Sequence, residues 1–433
     1  MVLVLAFFKL ICYNVTTVSA HTCFSYVDTV LILGPWPLRN LEEIKMKKII
    51  ALLLACVMLF ALVACGNSGG KGSDENVVKI GVFEPQSGDN GAGGKQEILG
   101  MQYANSLTPT VTIGGKEYKV ELVYADNQSA NDKAPSAAQT LISAGVSVVL
   151  GSYGSGVSIA ASDTFADAGV PAIGVTCTNP NVTAGNEHYF RICFLDPFQG
   201  TVLANFAKDK FSATKAYCLA KQGDDYSVGL CNYFMEAFGE ANCVYETFPE
   251  GTSDYSSYVT NAKNQGCDVF FAPVSTEAAA LIIDQAATQA LGMPMLAGDT
   301  WDSNVITGAA TGKDVEVYVT TFYQEGGNAQ FDEGFKAWIN GDSTNLSNNG
   351  GNDMIAAVSV MGYDAYYVAL EALKKAGSTE PGAVMEALWD TTFDGVSGAI
   401  AFDEIGDAIR DVAYVKQCDT ATGSWVFVAQ QGV

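Results

Sequence analysis

From Val77 onward, short runs of β-branched and aliphatic residues alternate with longer stretches of helical periodicity. That alternation limits the chain to parallel sheets built from βαβ units. A strand is expected over 77–82, a helix over 96–107, a strand over 121–124 and a helix over 132–144, with Ala137, Ala138, Leu141 and Ile142 on one helical face. The run 146–150 is continuously apolar, as a strand covered on both faces must be. A helix over 158–168 and a strand over 170–175 close this series. A second series follows: strands over 215–220, 242–246, 269–272, 295–297 and 315–321, and helices over 226–238, 255–265 and 276–290. A long helix over 356–376 ends in Lys374, Lys375 and Gly377, which are stop signals. The prediction is an α/β chain of two doubly wound, Rossmann-like lobes. Such sheets bind ligands in the crevice outside the carboxyl ends of their strands.

Charge narrows the function classes. The chain carries 23 Lys+Arg against 47 Asp+Glu, a net charge of -24. Nucleic-acid binding requires a basic footprint, and docking on anionic lipid a basic surface; this chain offers neither. The only histidines are His21 and His188, which excludes a multi-histidine metal site, and no CxxC occurs. No cofactor is expected.

The N-terminal region reads as an address. Lys47 and Lys48 follow Met46, and 49–64 is an unbroken apolar run, short for a spanning helix and suited to a signal peptide. It ends Leu62-Val63-Ala64-Cys65-Gly66, which resembles the lipobox of bacterial lipoproteins. That resemblance implies a signal peptide over 46–64 and a lipid-bearing Cys65. A Gly- and Ser-rich tether completes 65–76. Two readings of 1–45 compete. It is either an extension with a signal-like stretch of its own around Val18-Ser19-Ala20, or translated upstream sequence, with Leu41-Glu42-Glu43 encoded by a purine-rich ribosome-binding site. The second reading is adopted.

Several motifs fall where a cleft would lie. Gly151-Ser152-Tyr153-Gly154-Ser155-Gly156 joins a buried strand to a helix, and N–H groups and hydroxyls at a helix N-terminus suit an anion. An ordinary βα turn fits the same residues. Thr176-Cys177-Thr178-Asn179-Pro180 ends the next strand, as a cleft edge or as a cap. Asp299 ends a short strand beside Trp301 and Asp302. Gly91-Ala92-Gly93-Gly94 lacks the GxGxxG spacing of a dinucleotide fold. His188, in Glu187-His188-Tyr189, suits a surface or capping role better than a triad, so catalysis has thin support and no enzyme is expected.

The ordered segments resemble the type I solute-binding proteins of ABC importers, and within them the leucine/isoleucine/valine-binding group. The likeness runs through Ile80-Gly81-Val82, Gln86-Ser87-Gly88, Tyr124-Ala125-Asp126-Asn127, Val149-Leu150-Gly151, Thr178-Asn179-Pro180, Tyr189-Phe190-Arg191, Asp196-Pro197-Phe198-Gln199-Gly200, Tyr226-Ser227-Val228-Gly229 and Gly395-Val396-Ser397-Gly398. It implies two lobes, 77–195 with 325–398 and 196–324 with 399–433. Three crossovers join them, with a hinge near Asp196, Tyr323 and Ala399. It also implies an amino acid held in the cleft: Ser155 on its carboxylate, Thr176 and Thr178 beside it, Tyr226 from the second lobe, and Asp299 on its ammonium, where the family usually has Glu. The aromatic walls of the family fall at Gly93 and Val274, so Trp301 is assigned the missing wall.

The implied protein is an extracytoplasmic, lipid-anchored, monomeric binding component that delivers an amino acid of branched-chain type to the permease and ATPase subunits of an importer. The alternative is the same fold taking an amide, urea or another amino acid, or acting as a ligand-sensing module. A disulfide between Cys177 and Cys193, which flank the segment entering the first crossover, is expected; two buried free thiols are the competing reading.

Overall fold

A computed structural model describes residues 76–432. The leader readings over 1–64, the lipidation of Cys65 and all but the last residue of the tether over 65–76 lie outside the described residues. Among the described residues no helix is long and apolar enough to cross a membrane.

The first series runs β1 (Val77–Glu84), α1 (Gly91–Leu107), β2 (Thr110–Ile113), β3 (Lys116–Asp126), α2 (Ala134–Ala144), β4 (Val148–Leu150), α3 (Ser155–Asp167), β5 (Ala172–Gly174) and β6 (Tyr189–Arg191). The second runs α4 (Asp196–Phe211), β7 (Ala216–Lys221), α5 (Asp225–Phe238), β8 (Cys243–Phe248), α6 (Ser256–Asn264), β9 (Val269–Phe271), α7 (Thr276–Thr288), β10 (Met295–Ala297), α8 (Asn304–Ala310) and β11 (Val317–Thr321). Four further helices, α9 (Ala329–Asn340), α10 (Ser343–Asn348), α11 (Ala357–Ala376) and α12 (Pro381–Leu388), precede the hairpin β12 (Thr392–Gly395) and β13 (Gly398–Ala401) and a second hairpin, β14 (Ala413–Asp419) and β15 (Ser424–Gln431).

The strands form two main sheets, of order β2-β3-β1-β4-β5-β6 and β15-β14-β11-β10-β9-β7-β8. β1 lies between β3 and β4, parallel to both, and β7 lies between β8 and β9 in the same way. In each sheet the order reverses at that strand, and a crevice opens beyond its carboxyl end. The α/β class and the parallel pairing follow the expectation. The antiparallel edges, β2 on one sheet and β14–β15 on the other, were not anticipated.

Helix α1 starts at Gly91 and not near Gln96. Glycine is a poor helix former, but here contact overrides propensity. A Cβ on Gly94 would collide with the Pro85 carbonyl, and one on Gly100 with that of Ser359. Gly362 faces the Glu97 backbone in the same way. The two glycines let α1 and α11 cross with their backbones nearly touching.

The chain passes between the sheets over 192–195, 322–328 and 402–412. The third passage begins after Ala401, because Ala399 is held in the β12–β13 hairpin opposite Asp394. The passages lie against one another: Phe194 and Phe322 pack with ring centroids 4.2 Å apart, and Arg410 Nε donates to the Ile192 carbonyl at 2.5 Å. Arg191 and Asp407 form a buried ion pair at 2.6 Å.

Cys177 and Cys193 are free buried thiols, which corrects the disulfide expectation. The reason is the sheet between them. Cys193 packs in the core shared with Ile80, Val82 and Leu150, whereas Cys177 packs on the other face with Phe83, Val149 and Phe165.

Candidate functional site

The carboxyl ends of the first sheet bring three groups to the cleft. Glu84 ends β1. The loop after β4 runs into α3, whose first residue is Ser155. The loop after β5 carries Thr176 and Thr178. Ser155 is buried, and its Oγ accepts the Asn179 N–H at 3.2 Å, which ties the two loops together and leaves its own hydroxyl hydrogen to donate. Thr176 Oγ1 donates to Glu97 Oε2 at 2.6 Å, from α1. Thr178 Oγ1 is buried without a hydrogen-bond partner.

The second lobe contributes a clamped carboxylate. Asp299 follows β10 and is 1% exposed. Its Oδ1 accepts from Tyr226 Oη and from Gln199 Nε2, both at 3.0 Å, while Gln199 Oε1 takes the Asp299 N–H at 2.8 Å. Thr320 Oγ1 fixes Gln199 in turn, at 2.6 Å. The second oxygen, Oδ2, is buried with no partner. A buried acceptor left empty costs free energy unless something fills it. Burial pushes the Asp299 carboxyl up to about 6, against the lowering effect of Gln199 and Tyr226. Burial also raises Glu97 to about 7 and Asp196 to about 8. Asp302, close by, is already paired with Lys416 at 3.0 Å. Asp299 has no such cation among the described residues.

Tyr153, Ser155, Tyr226 and Thr300 line one cavity of about 40 Å³ between the lobes. Tyr153 Oη crosses the gap to the Thr300 carbonyl at 3.0 Å, and Lys221 Nζ meets Asp89 Oδ2 at 2.8 Å. Ser155 and Tyr226 share this cavity, and Asp299 joins them behind it through the Tyr226 hydroxyl, with Thr176 and Thr178 on the adjoining loop. Trp301 is not part of this group. Its ring is fully enclosed in the second lobe's core with Phe270, Ile282 and Ile283, and its Nε1 donates to the Val274 carbonyl at 3.1 Å. The wall assigned to Trp301 is corrected on that ground.

Glu84, Tyr153, Gln199 and Thr300 have no place in the sequence-based site. Gln199 stands in the run Asp196-Pro197-Phe198-Gln199-Gly200, which carries the family likeness but gives it no role in the cleft. Tyr153 sat inside a motif read for its glycines and hydroxyls. Among the described residues, no group of three or more His, Cys, Asp or Glu could hold a metal ion.

Residues 77–423 match the family model described as "Periplasmic binding protein". The chain is similar to a Leu/Ile/Val-binding protein homolog 1 of Brucella melitensis biotype 1, 29% identical over 361 residues that cover 82% of this chain and 92% of the relative. A leucine-, isoleucine-, valine-, threonine-, and alanine-binding protein of Pseudomonas aeruginosa is 25% identical, with coverage of 81% and 92%. Among solved structures, the leucine binding protein LivK of Thermotoga maritima MSB8 superposes with a TM-score of 0.72 at 31% identity, covering 82% of this chain and 99% of that one.

Proposed function

This chain belongs to the periplasmic binding protein family, and we propose on that basis that it captures an amino acid between its lobes for an ABC importer. The class favoured is branched-chain and short aliphatic amino acids, as in the names of its relatives. The protein would act outside the cytoplasm, tethered to the bacterial membrane through a lipid on Cys65, and would hand its solute to permease and ATPase subunits. It would bind as a monomer without catalysis. Residues 1–45 would then not belong to the exported protein.

One observation carries this reading. A buried carboxylate, Asp299, is held by Gln199 and Tyr226 with one oxygen free, across the cleft from Ser155 at a helix N-terminus. Hydroxyl and N–H donors serve a carboxylate, and the acid balances an ammonium. Charge-assisted bonds of this kind contribute roughly 1.5–3 kcal/mol each.

Calorimetry on the purified protein tests the reading. An α-amino acid should bind, and its analogue lacking the amino group should not. Preference for a solute without an amino group would move the amide or urea reading ahead. Ser155→Ala should weaken binding by only about 1–2 kcal/mol, since neighbouring N–H groups still serve the carboxylate.

Affinity should also depend on pH. With its carboxyl near 6 in the empty cleft, Asp299 is protonated below that pH and cannot balance an ammonium. The dissociation constant should rise as pH falls below about 6, by up to about tenfold per unit. Binding at pH 6 should release a proton, which calorimetry in buffers of different ionisation heat detects. A pH-independent affinity from 5 to 7 would remove Asp299 from the ammonium.

A further inference from the structure

We infer that Tyr153 sets which solutes the cleft accepts: its ring is the wall over the solute's side chain, standing where Gly93 leaves room, and it restricts the site to short side chains. The inference rests on the amino-acid reading above and names the part of that class the site prefers.

Three observations carry it. The first is space. A Cβ on Gly93 would fall among the ring atoms of Tyr153, whose hydroxyl oxygen would lie 2.6 Å from it. The ring and a side chain at 93 compete for one volume, and this chain has given that volume to 153. The second is support. The ring is 3% exposed and packs with Ala356 and Val358 at the start of α11, while its backbone N–H donates to Glu84 Oε2 at 2.7 Å. It is thus held from the first lobe before any solute arrives. The third is position. The ring lines the same cavity as Ser155 and Tyr226, and its hydroxyl reaches the Thr300 carbonyl in the other lobe.

The consequence is one of size. The cavity of about 40 Å³ beside Ser155, walled by the Tyr153 ring, has room for a few waters. A side chain as short as that of alanine, threonine or valine would enter this space by modest opening. A leucine side chain must displace the phenol, which breaks the Thr300 bond and costs closure. Pockets of this kind discriminate by roughly 10–200-fold per methylene.

Titration of the intact protein with alanine, threonine, valine, leucine and isoleucine tests this. The wild type should bind the first three at least tenfold tighter than the last two. Tyr153→Leu should raise leucine affinity relative to alanine at least tenfold. Tyr153→Phe should keep the ranking and weaken every ligand severalfold, through the lost Thr300 bond. A reciprocal pair guards against a misfolded variant. Gly93→Trp should abolish binding, and Tyr153→Gly in that background should restore it. Leucine preferred by the wild type, with the ranking unmoved within twofold by Tyr153→Leu, would overturn the inference. If no amino acid binds but simple aliphatic carboxylates do, the amino-acid reading fails separately. Tyr153 is then judged by whether Tyr153→Leu shifts the chain-length preference of that series.

Discussion

Replacing Asp299 by alanine should collapse amino-acid affinity by on the order of 3–5 kcal/mol, two to four powers of ten in the dissociation constant. The magnitude follows from what is left behind. The carboxylate is 1% exposed and carries no cation among the described residues, and burial holds the neighbouring Glu97 and Asp196 carboxyls higher still, so an ammonium entering the cleft would lose its most readily ionised partner. The loss should exceed that of Ser155→Ala, whose neighbours at the α3 N-terminus can take over. Asp299→Asn is the sharper control, because it keeps an acceptor for Tyr226 and Gln199 while removing the charge. It should lose nearly as much affinity as alanine.

The empty protein should respond in the opposite sense. The folded-state carboxyl lies near 6 against an ordinary 3.8. The folded state therefore holds this proton more tightly than the unfolded chain does, and stability falls as pH rises from about 4 to about 6. At pH 7 the ionised group costs stability, so Asp299→Asn should melt no lower than the wild type without solute. Differential scanning calorimetry with and without ligand separates the two effects. A variant that both melts lower when empty and binds normally would place Asp299 in the scaffold.

This opposition explains which parts of the molecule could be read in advance. The strand–helix alternation was legible because burial on both faces writes continuous apolar runs, such as 148–150, into the sequence. Half-exposed strands leave no such mark: β15 shows Val426 and Phe427 to solvent. The start of α1 was missed because its glycines answer to Pro85 and Tyr153, contacts no local pattern contains. Within the site, Asp299 and Ser155 were legible as polar residues just past strand ends. Gln199 was not, since it lies 100 residues from the acid it clamps. Trp301 misled for the opposite reason. Proximity in sequence to Asp299 says nothing about which face of the loop enters the core.

The second large effect concerns the junction of the passages and not the ligand. Arg191 is fully buried at the end of β6. Its Nε and Nη2 both reach Asp407 Oδ1, at 2.8 and 2.6 Å, and Nη2 also meets Thr183 Oγ1 at 3.0 Å. Nη1 binds the carbonyls of Cys177 and Asn179, at 2.9 and 2.5 Å. One side chain thus ties the third passage to the loop that presents Thr176 and Thr178. Arg191→Met should destabilise by about 3–5 kcal/mol, because it strands the Asp407 carboxylate in the core and frees two buried carbonyls. For a domain of this size the midpoint should drop by on the order of 5 °C or more. Arg191→Met with Asp407→Leu should recover part of that loss, since removing both charges leaves no ion unpaired. Urea unfolding of the two variants and the double variant gives the coupling. Affinity of Arg191→Met should fall as well, even where the protein remains folded, because the loop bearing Thr178 loses its anchor. A loss below about 1 kcal/mol for Arg191→Met, or a double variant no better than the single, would mean that the backbone pairing of Arg191 with Gly406 and Ala408 holds the junction without the charges.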